Sequence, residues 1–268
     1  MSEHSLLETY RGSPAANYER YFVPAIASPL ARALVAFAAL QPGERVLDIA
    51  GGTGVVTRLA AEQVGDGDIA GVDVNPGMLE IARGASGDTA IEWHKASAEE
   101  LPFEDGTFDV VLCQMGLQFI PDRPGALREM RRVLSDGGRV VLNLPGPTPA
   151  PLAALEQALS RHVGPEAAGF VATVFSLYDA GELRALLGDA GFVDAEVSSE
   201  RTTLELPPAE HFLWQYIYST PLAGHVETLS AKRRAELQRE VVTAWEPFAR
   251  DDGLVLELDV TSAIASAV

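Results

Sequence analysis

Cysteine is almost missing: Cys113 is the only one in 268 residues. That excludes an internal disulfide and a cysteine-based metal site, and no metal is expected. Positive charge is also scarce. Lys and Arg number 20 against 38 Asp and Glu, giving a net charge of −18 and a pI of about 4.6. A polyanionic partner would be repelled, so no nucleic acid is expected. Long hydrophobic runs are lacking too. The longest, LARALVAFAAL, is too short to span a bilayer and carries Arg32. The polar start MSEHSLLETYRG has no signal-peptide core. The expectation is a cytoplasmic protein with no membrane span. Internal repeats, low-complexity tracts and charged tails are likewise missing.

What remains is rich in core material: 47% of residues are apolar and the mean hydropathy is +0.08. This length suits one large α/β domain, or a core domain with an inserted cap. The organising stretch is RVLDIAGGTG, residues 45–54. Val46, Leu47 and Ile49 read as a buried strand that runs into Gly51, Gly52, Thr53 and Gly54. VVTRLAAEQVG then has helical spacing, with Val55, Val56, Leu59 and Ala60 on one side and Gly65 as a stop. Strand, glycine turn and helix together let a ligand lie against bare main chain.

Two nucleoside cofactors use such a turn. A dinucleotide wants G-x-G-x-x-G and a helix N-terminus facing pyrophosphate. Here Thr57 stands at the third glycine position, and Asp48 would repel a pyrophosphate. A cationic cofactor would instead welcome Asp48. A second strand, 69–74, ends in Asp73, an acid suited to the hydroxyls of a ribose, which both cofactors carry. Asn75-Pro76 starts the next helix, with Met78, Leu79 and Ala82 inward.

The turn Asp48-Ile-Ala-Gly-Gly-Thr-Gly54 resembles motif I of the class I S-adenosylmethionine-dependent methyltransferases, Asp-x-Gly-x-Gly-x-Gly. Ala50 replaces the first glycine. Downstream, Ala98, Glu99, Leu101, Pro102, Phe103, Phe108, Asp109 and Val111 match the family stretch Ala-Glu-x-Leu-Pro-Phe…Phe-Asp-x-Val. This is the most specific part of the resemblance, which covers residues 45–145 and is similar to the ubiquinone/menaquinone-biosynthesis type. The family's adenine-binding aspartate is Ser97 here. Many relatives carry His, sometimes a general base, where this chain has Gln118, and glutamine takes no proton.

The resemblance implies S-adenosyl-L-methionine as cofactor. Asp48, Ala50, Gly51, Gly52 and Gly54 would hold its methionine part and Asp73 its ribose. Val74 and Met78 would flank the adenine, with Ser97 and Ala98 at its edge. Gln114, at the end of the strand FDVVLC, would meet the amino-acid end. Cys113 reads as a small buried strand residue rather than a nucleophile. In relatives an N-terminal segment folds over the cofactor, which makes Tyr21, within the cluster Tyr10, Tyr18, Tyr21 and Phe22, a candidate contact.

The rest reads by outline. IEWH, 91–94, is a third strand. GALREMRRVLSDGG is a helix stopped at Gly137-Gly138, and RVVLNL is the fifth strand. Ser28-Pro29 opens an earlier helix as N-cap and first residue. VATVFSLY is ambiguous between helix and strand. Residues 195–206 form a long strand and LVLELDVTSAI the last one. The expected fold is a doubly wound, mostly parallel seven-stranded sheet, Rossmann-like, ending in an antiparallel pair, with a helical cap from insertions. The expected parts are a lead-in over 1–44, a cofactor core over 45–145, cap insertions over 146–176 and 207–252, a core helix and strand over 177–206, and a final strand over 253–268. His162, His211 and Tyr216 are candidate catalytic groups, with His225 as a further possible base.

The function that follows is methyl transfer to a small-molecule acceptor at oxygen, nitrogen or carbon, with the cap's aromatics suiting an apolar metabolite. Two alternatives stand beside it: an NAD(P)-dependent oxidoreductase, and a non-catalytic cofactor-binding module.

Overall fold

The computed structural model describes residues 9–10 and 12–268; residues 1–8 and 11 of the expected lead-in lie outside them. The chain divides into two compact units. One comprises Ser28–Gly146, Leu177–Glu200 and Asp259–Val268. The other comprises Met1–Ala27, Pro147–Ser176 and Arg201–Leu258.

The strands are β1 (Val46–Ile49), β2 (Ile69–Asp73), β3 (Glu92–Lys95), β4 (Phe108–Gln114), β5 (Leu134–Pro145), β6 (Val193–Leu206), β7 (Ala249–Arg250) and β8 (Gly253–Ser266). The sheet order is β3-β2-β1-β4-β5-β8-β6, and the two-residue β7 pairs with β8 off that path. The first five strands are mutually parallel, and β8 runs antiparallel to β5. This is the expected doubly wound sheet, with seven strands on its path and a short hairpin partner added. Strand order reverses between β1 and β4, so the crevice for a ligand opens at their carboxyl ends.

Alternation along the strands gives the first unit two cores. Val46, Val110, Leu112 and Val141 pack with Leu34, Val35, Val56 and Ala60 on one face. Leu47, Ile49, Val111, Val140 and Leu142 pack with Leu127, Met130, Leu183 and Leu187 on the other. Side-chain caps start three of the helices. Asn75 accepts from the Gly77 and Met78 amides, Asp122 from Gly125, and Asp179 from Glu182. Gly65, at φ 64, stops the helix Val55–Val64, as its spacing foretells.

Three local expectations are corrected. The helix starting at Arg123 ends at Val133, and Leu134 enters β5 opposite Phe108 instead of continuing to Gly137-Gly138. A register shift next to Phe108 absorbs the extra residues. Ser28 is not an N-cap, because a π-helix, Tyr18–Ala27, runs straight into Ser28–Ala38. The ambiguous VATVFSLY is split: its first four residues end the helix Pro165–Val174, where Ala167 and Val171 are buried, and the other four lie beyond it.

Joining those segments gives one 25-residue helical rod, Pro14–Ala38, long and apolar enough to cross a membrane by length and composition, with a hydropathy of 1.5. Its most apolar window is 44% buried within the protein, as in a core helix.

The second unit is helical: Ala150–His162, Pro165–Val174, Ala209–Tyr218, Leu222–Glu227 and Ala231–Trp245 join the N-terminal segment. Ala209–Tyr218 buries Phe212, Leu213, Trp214, Tyr216, Ile217 and Tyr218, so it is apolar nearly all round. Trp245 Nε1 donates to the Pro151 carbonyl at 2.7 Å, and Trp214 Nε1 to Gln238 Oε1 at 2.8 Å.

Candidate functional site

The site begins at Asp48. Its carboxylate is 1% exposed, and the Thr57 hydroxyl donates to Oδ2 at 2.5 Å. Oδ1 is buried with no hydrogen-bond partner among the described residues. Burial pushes this carboxyl up to about 7, against the Thr57 hydrogen bonds that lower it. Thr57, which argued against a dinucleotide, thus has a positive role: one helical turn past the glycines it reaches back to the acid.

The turn itself is left-handed three times, at Ala50 (φ 55), Gly52 (φ 57) and Gly54 (φ 84). Ala50 bears the strain of a non-glycine there, about 1 kcal/mol. A side chain at Gly51 would put its Cβ 2.9 Å from Asp48 Oδ2, so the main chain stays bare over the acid. Gly54 is needed for another reason. A Cβ there would run into the Trp93 ring, which also lies against Gly71.

Asp73 is gripped from both sides. The Gly52 amide donates to Oδ2 at 2.9 Å and the Asn75 amide to Oδ1 at 2.8 Å. Burial raises this carboxyl too, opposed by those amides. Each oxygen keeps a lone pair for a further donor. Val74 beside it is 63% exposed, a large apolar side chain facing outward. Met78 follows in the first turn of Pro76–Ala85. The Ser97 hydroxyl accepts from the Glu99 amide at 3.1 Å, so it shapes its own loop, and Ala98 is buried in the core.

The exit of β4 completes the edge. Gln114 sits in register with Asn143, and Met115 (φ 48) donates its amide to the Asn143 carbonyl at 2.9 Å. Gly116 packs on the glycine turn: its Cβ would lie 2.7 Å from the Ala50 Cβ and 2.8 Å from Cys113 Sγ. Burial pushes the Cys113 thiol up to about 12, so it is no nucleophile near neutral pH. Thr53 Oγ1, Asn143 Oδ1 and both amide atoms of Gln118 are buried without a partner among the described residues. Each such group costs about 1–3 kcal/mol until something pairs with it. Sequence reasoning passed over Thr53 and Asn143, and read Gln118 only as a missing base.

The other candidates lie in the helical unit. His162 is a brace: its Nε2 is 2.7 Å from Glu240 Oε2, and Arg161 holds the other Glu240 oxygen, which keeps that carboxyl below its usual range. Tyr216 is not a base, because burial drives its hydroxyl far above its ordinary value and it stays protonated. His211 Nδ1 lies 2.7 Å from the Tyr10 hydroxyl, which also accepts from Gln215 Nε2 at 3.2 Å. The hydroxyl oxygen has a second lone pair, so the imidazole tautomer decides which of Tyr10 and His211 supplies the shared proton. Tyr21 packs edge-on against Tyr10, with ring centroids 5.0 Å apart. His225 gives its carbonyl to the Thr228 hydroxyl at 2.7 Å.

A charged edge with half-paired acids fits a cationic nucleoside, and comparison with known proteins agrees. Residues 47–142 match the family model described as methyltransferase domain. The chain is 37% identical over 176 residues to the ubiquinone/menaquinone biosynthesis C-methyltransferase of Enterobacter sp. strain 638, covering 59% of this chain and 69% of that protein. Among solved structures, the YcgJ protein from Bacillus subtilis is similar with a TM-score of 0.59 at 18% identity, covering 88% of this chain and 97% of that one. A phosphoethanolamine N-methyltransferase from Haemonchus contortus, in complex with S-adenosylhomocysteine, has a TM-score of 0.56 at 21% identity, covering 89% of this chain and 52% of that one. At these identities the structures speak for the fold alone.

Proposed function

The chain belongs to the class I S-adenosylmethionine-dependent methyltransferases, and on that premise we propose that it methylates an apolar small molecule by alignment rather than through a dedicated base. The observation that carries this reading is the second oxygen of Asp48. That oxygen, Oδ1, is buried and unpaired among the described residues, and the carboxylate as a whole lies against the bare main chain of Gly51, where a cation fits and a phosphate does not.

S-adenosylmethionine supplies an electrophilic methyl group on a sulfonium. The protein's share is placement. Asp48 holds the positive amino-acid end with Gln114 nearby, and the bare turn at Ala50, Gly51, Gly52 and Gly54 lets that end come close. Asp73 accepts from the ribose hydroxyls, Val74 and Met78 flank the adenine, and Ser97 and Ala98 border its edge. Alignment of two reactants in a dry site accounts for most of what such an enzyme needs.

Leaving out a base is supported by the engagement of its candidates: His162 pairs with Glu240, Tyr216 stays protonated and His211 Nδ1 is hydrogen-bonded to Tyr10. The acceptor atom is therefore nucleophilic by its own chemistry: a carbon, phenolate or amine. The carbon reading gains support from the biosynthetic C-methyltransferase relative. A cytoplasmic site of action belongs to the same proposal.

The test is calorimetry with S-adenosylhomocysteine, followed by methyl-transfer assays on quinols, phenols and amines with labelled S-adenosylmethionine. Binding plus labelled product from at least one acceptor is the expected result. Tight binding with no product from any acceptor would favour a non-catalytic module.

A further inference from the structure

Gln118 is the one fully buried polar side chain at the β4 exit that the proposed chemistry leaves unused. It is 2% exposed, and neither its amide nitrogen nor its oxygen has a partner among the described residues. The backbone carrying it is fixed. Its carbonyl accepts from Arg123 Nη2 at 3.1 Å, Leu117–Phe119 forms a single tight turn, and Gly116 two residues earlier packs on Ala50 of the cofactor turn. A fixed backbone thus holds an unsatisfied amide two residues from the glycine that packs on the cofactor turn.

Nearly all buried polar side chains have partners. A methionine of similar length would fill this space without leaving a donor or an acceptor stranded. Asn143 repeats the pattern on β5. It is 1% exposed, its Oδ1 lacks a partner among the described residues, and its Nδ2 has only a 3.4 Å contact with the Leu30 carbonyl. One amide unpaired at both atoms and the open oxygen of a second make this edge a recognition surface for something uncharged.

Building on the methyltransferase reading, we propose that Gln118 orients the methyl acceptor through a donor–acceptor pair, and that the acceptor is a neutral molecule with a hydroxyl beside a carbonyl or a second hydroxyl. An ammonium acceptor would call for a carboxylate, and an anionic one for a guanidinium. An amide serves neither well, yet it makes two hydrogen bonds at once to a neutral oxygen pair. The acceptor loses its O–H proton to water, and its carbon or oxygen takes the methyl group as the carbon–sulfur bond breaks. Neutral S-adenosylhomocysteine is left.

The test compares wild type with Q118M, both saturated with S-adenosylhomocysteine. Failure to bind that compound would overturn the methyltransferase reading itself, separately from this proposal. Two probes are then titrated by calorimetry: 1-hydroxy-2-acetonaphthone, with a hydroxyl beside a carbonyl, and tryptamine, a cation of similar size. The hydroxyketone is expected to bind wild type in preference to tryptamine and to bind Q118M at least tenfold more weakly. Thermal denaturation of Q118M is expected to show a Tm raised by about 3 °C, the signature of a residue kept for function against stability. A lowered Tm, meaning the amide is satisfied by buried water as part of the fold, overturns the proposal. So does equal binding by Q118M, no binding of the hydroxyketone to wild type, or a preference for tryptamine.

Discussion

The helical unit and the carboxyl edge of the sheet differ in which of their candidate polar groups are left open. In the helical unit Trp214 and Trp245 donate to partners, His162 is locked to Glu240 and His211 pairs with the Tyr10 hydroxyl, while Ser219 Oγ and Arg234 Nε stay unpaired among the described residues. At the sheet edge Asp48, Thr53, Gln118 and Asn143 keep buried atoms unpaired among the described residues, and so does the indole nitrogen of Trp93 below the turn. The candidate acids and amides at the edge are open, whereas the candidate histidines His162 and His211 are engaged. Residue type alone would have pointed the other way, toward the histidines.

That contrast can be broken experimentally, starting with the turn. G54A is expected to destabilise the protein by roughly 3 kcal/mol or more in urea denaturation, from a left-handed alanine plus overpacking against Trp93. A G54A protein of normal stability that no longer binds S-adenosylhomocysteine would mean this glycine serves the ligand instead. D48N is expected to weaken S-adenosylhomocysteine binding by about tenfold to a hundredfold, the 1.5–3 kcal/mol of a charge-assisted hydrogen bond, without lowering Tm. Unchanged affinity in D48N would show that the open oxygen faces no cation.

The pH dependence sharpens the same point. Burial raises the Asp48 carboxyl from 3.8 to about 7, so the folded state holds a proton that the unfolded state has released between those values. The group's contribution to stability is greatest below its unfolded value and is lost as pH rises toward 7. A cation held by the ionised form shows the reverse trend: its affinity should rise about tenfold from pH 6 to pH 8, with proton uptake by buffer seen as heat differing between phosphate and Tris. Flat affinity across that range would remove Asp48 from the ligand. The smallest effect belongs to the brace. H162A should cost about 0.5–1 kcal/mol and leave S-adenosylhomocysteine affinity unchanged, as for a partly exposed pair.

The sheet, its antiparallel finish and the cofactor turn were legible because they rest on local signals: apolar runs, glycines and an Asn-Pro cap. Asp48 and Asp73 stood out as candidates because an acid at a strand end has few structural excuses. The π-helix was not legible, since a shift of hydrogen-bond spacing leaves the apolar periodicity nearly intact and Ser28-Pro29 mimics a fresh start. The early end of Arg123–Val133 was hidden because Leu134 satisfies a helical face and a strand equally well. The packing of Gly54 against Trp93 was not legible, because Trp93 comes from a distant strand. The unpaired amides at Gln118 and Asn143 have no sequence signature, because pairing is a property of the folded neighbourhood.

Asp73 is already clasped by the amides of Gly52 and Asn75 on either side. On the proposed reading, the hook for the sugar is therefore set before any nucleoside arrives, and the Asp73 side chain has little freedom left to lose on capture.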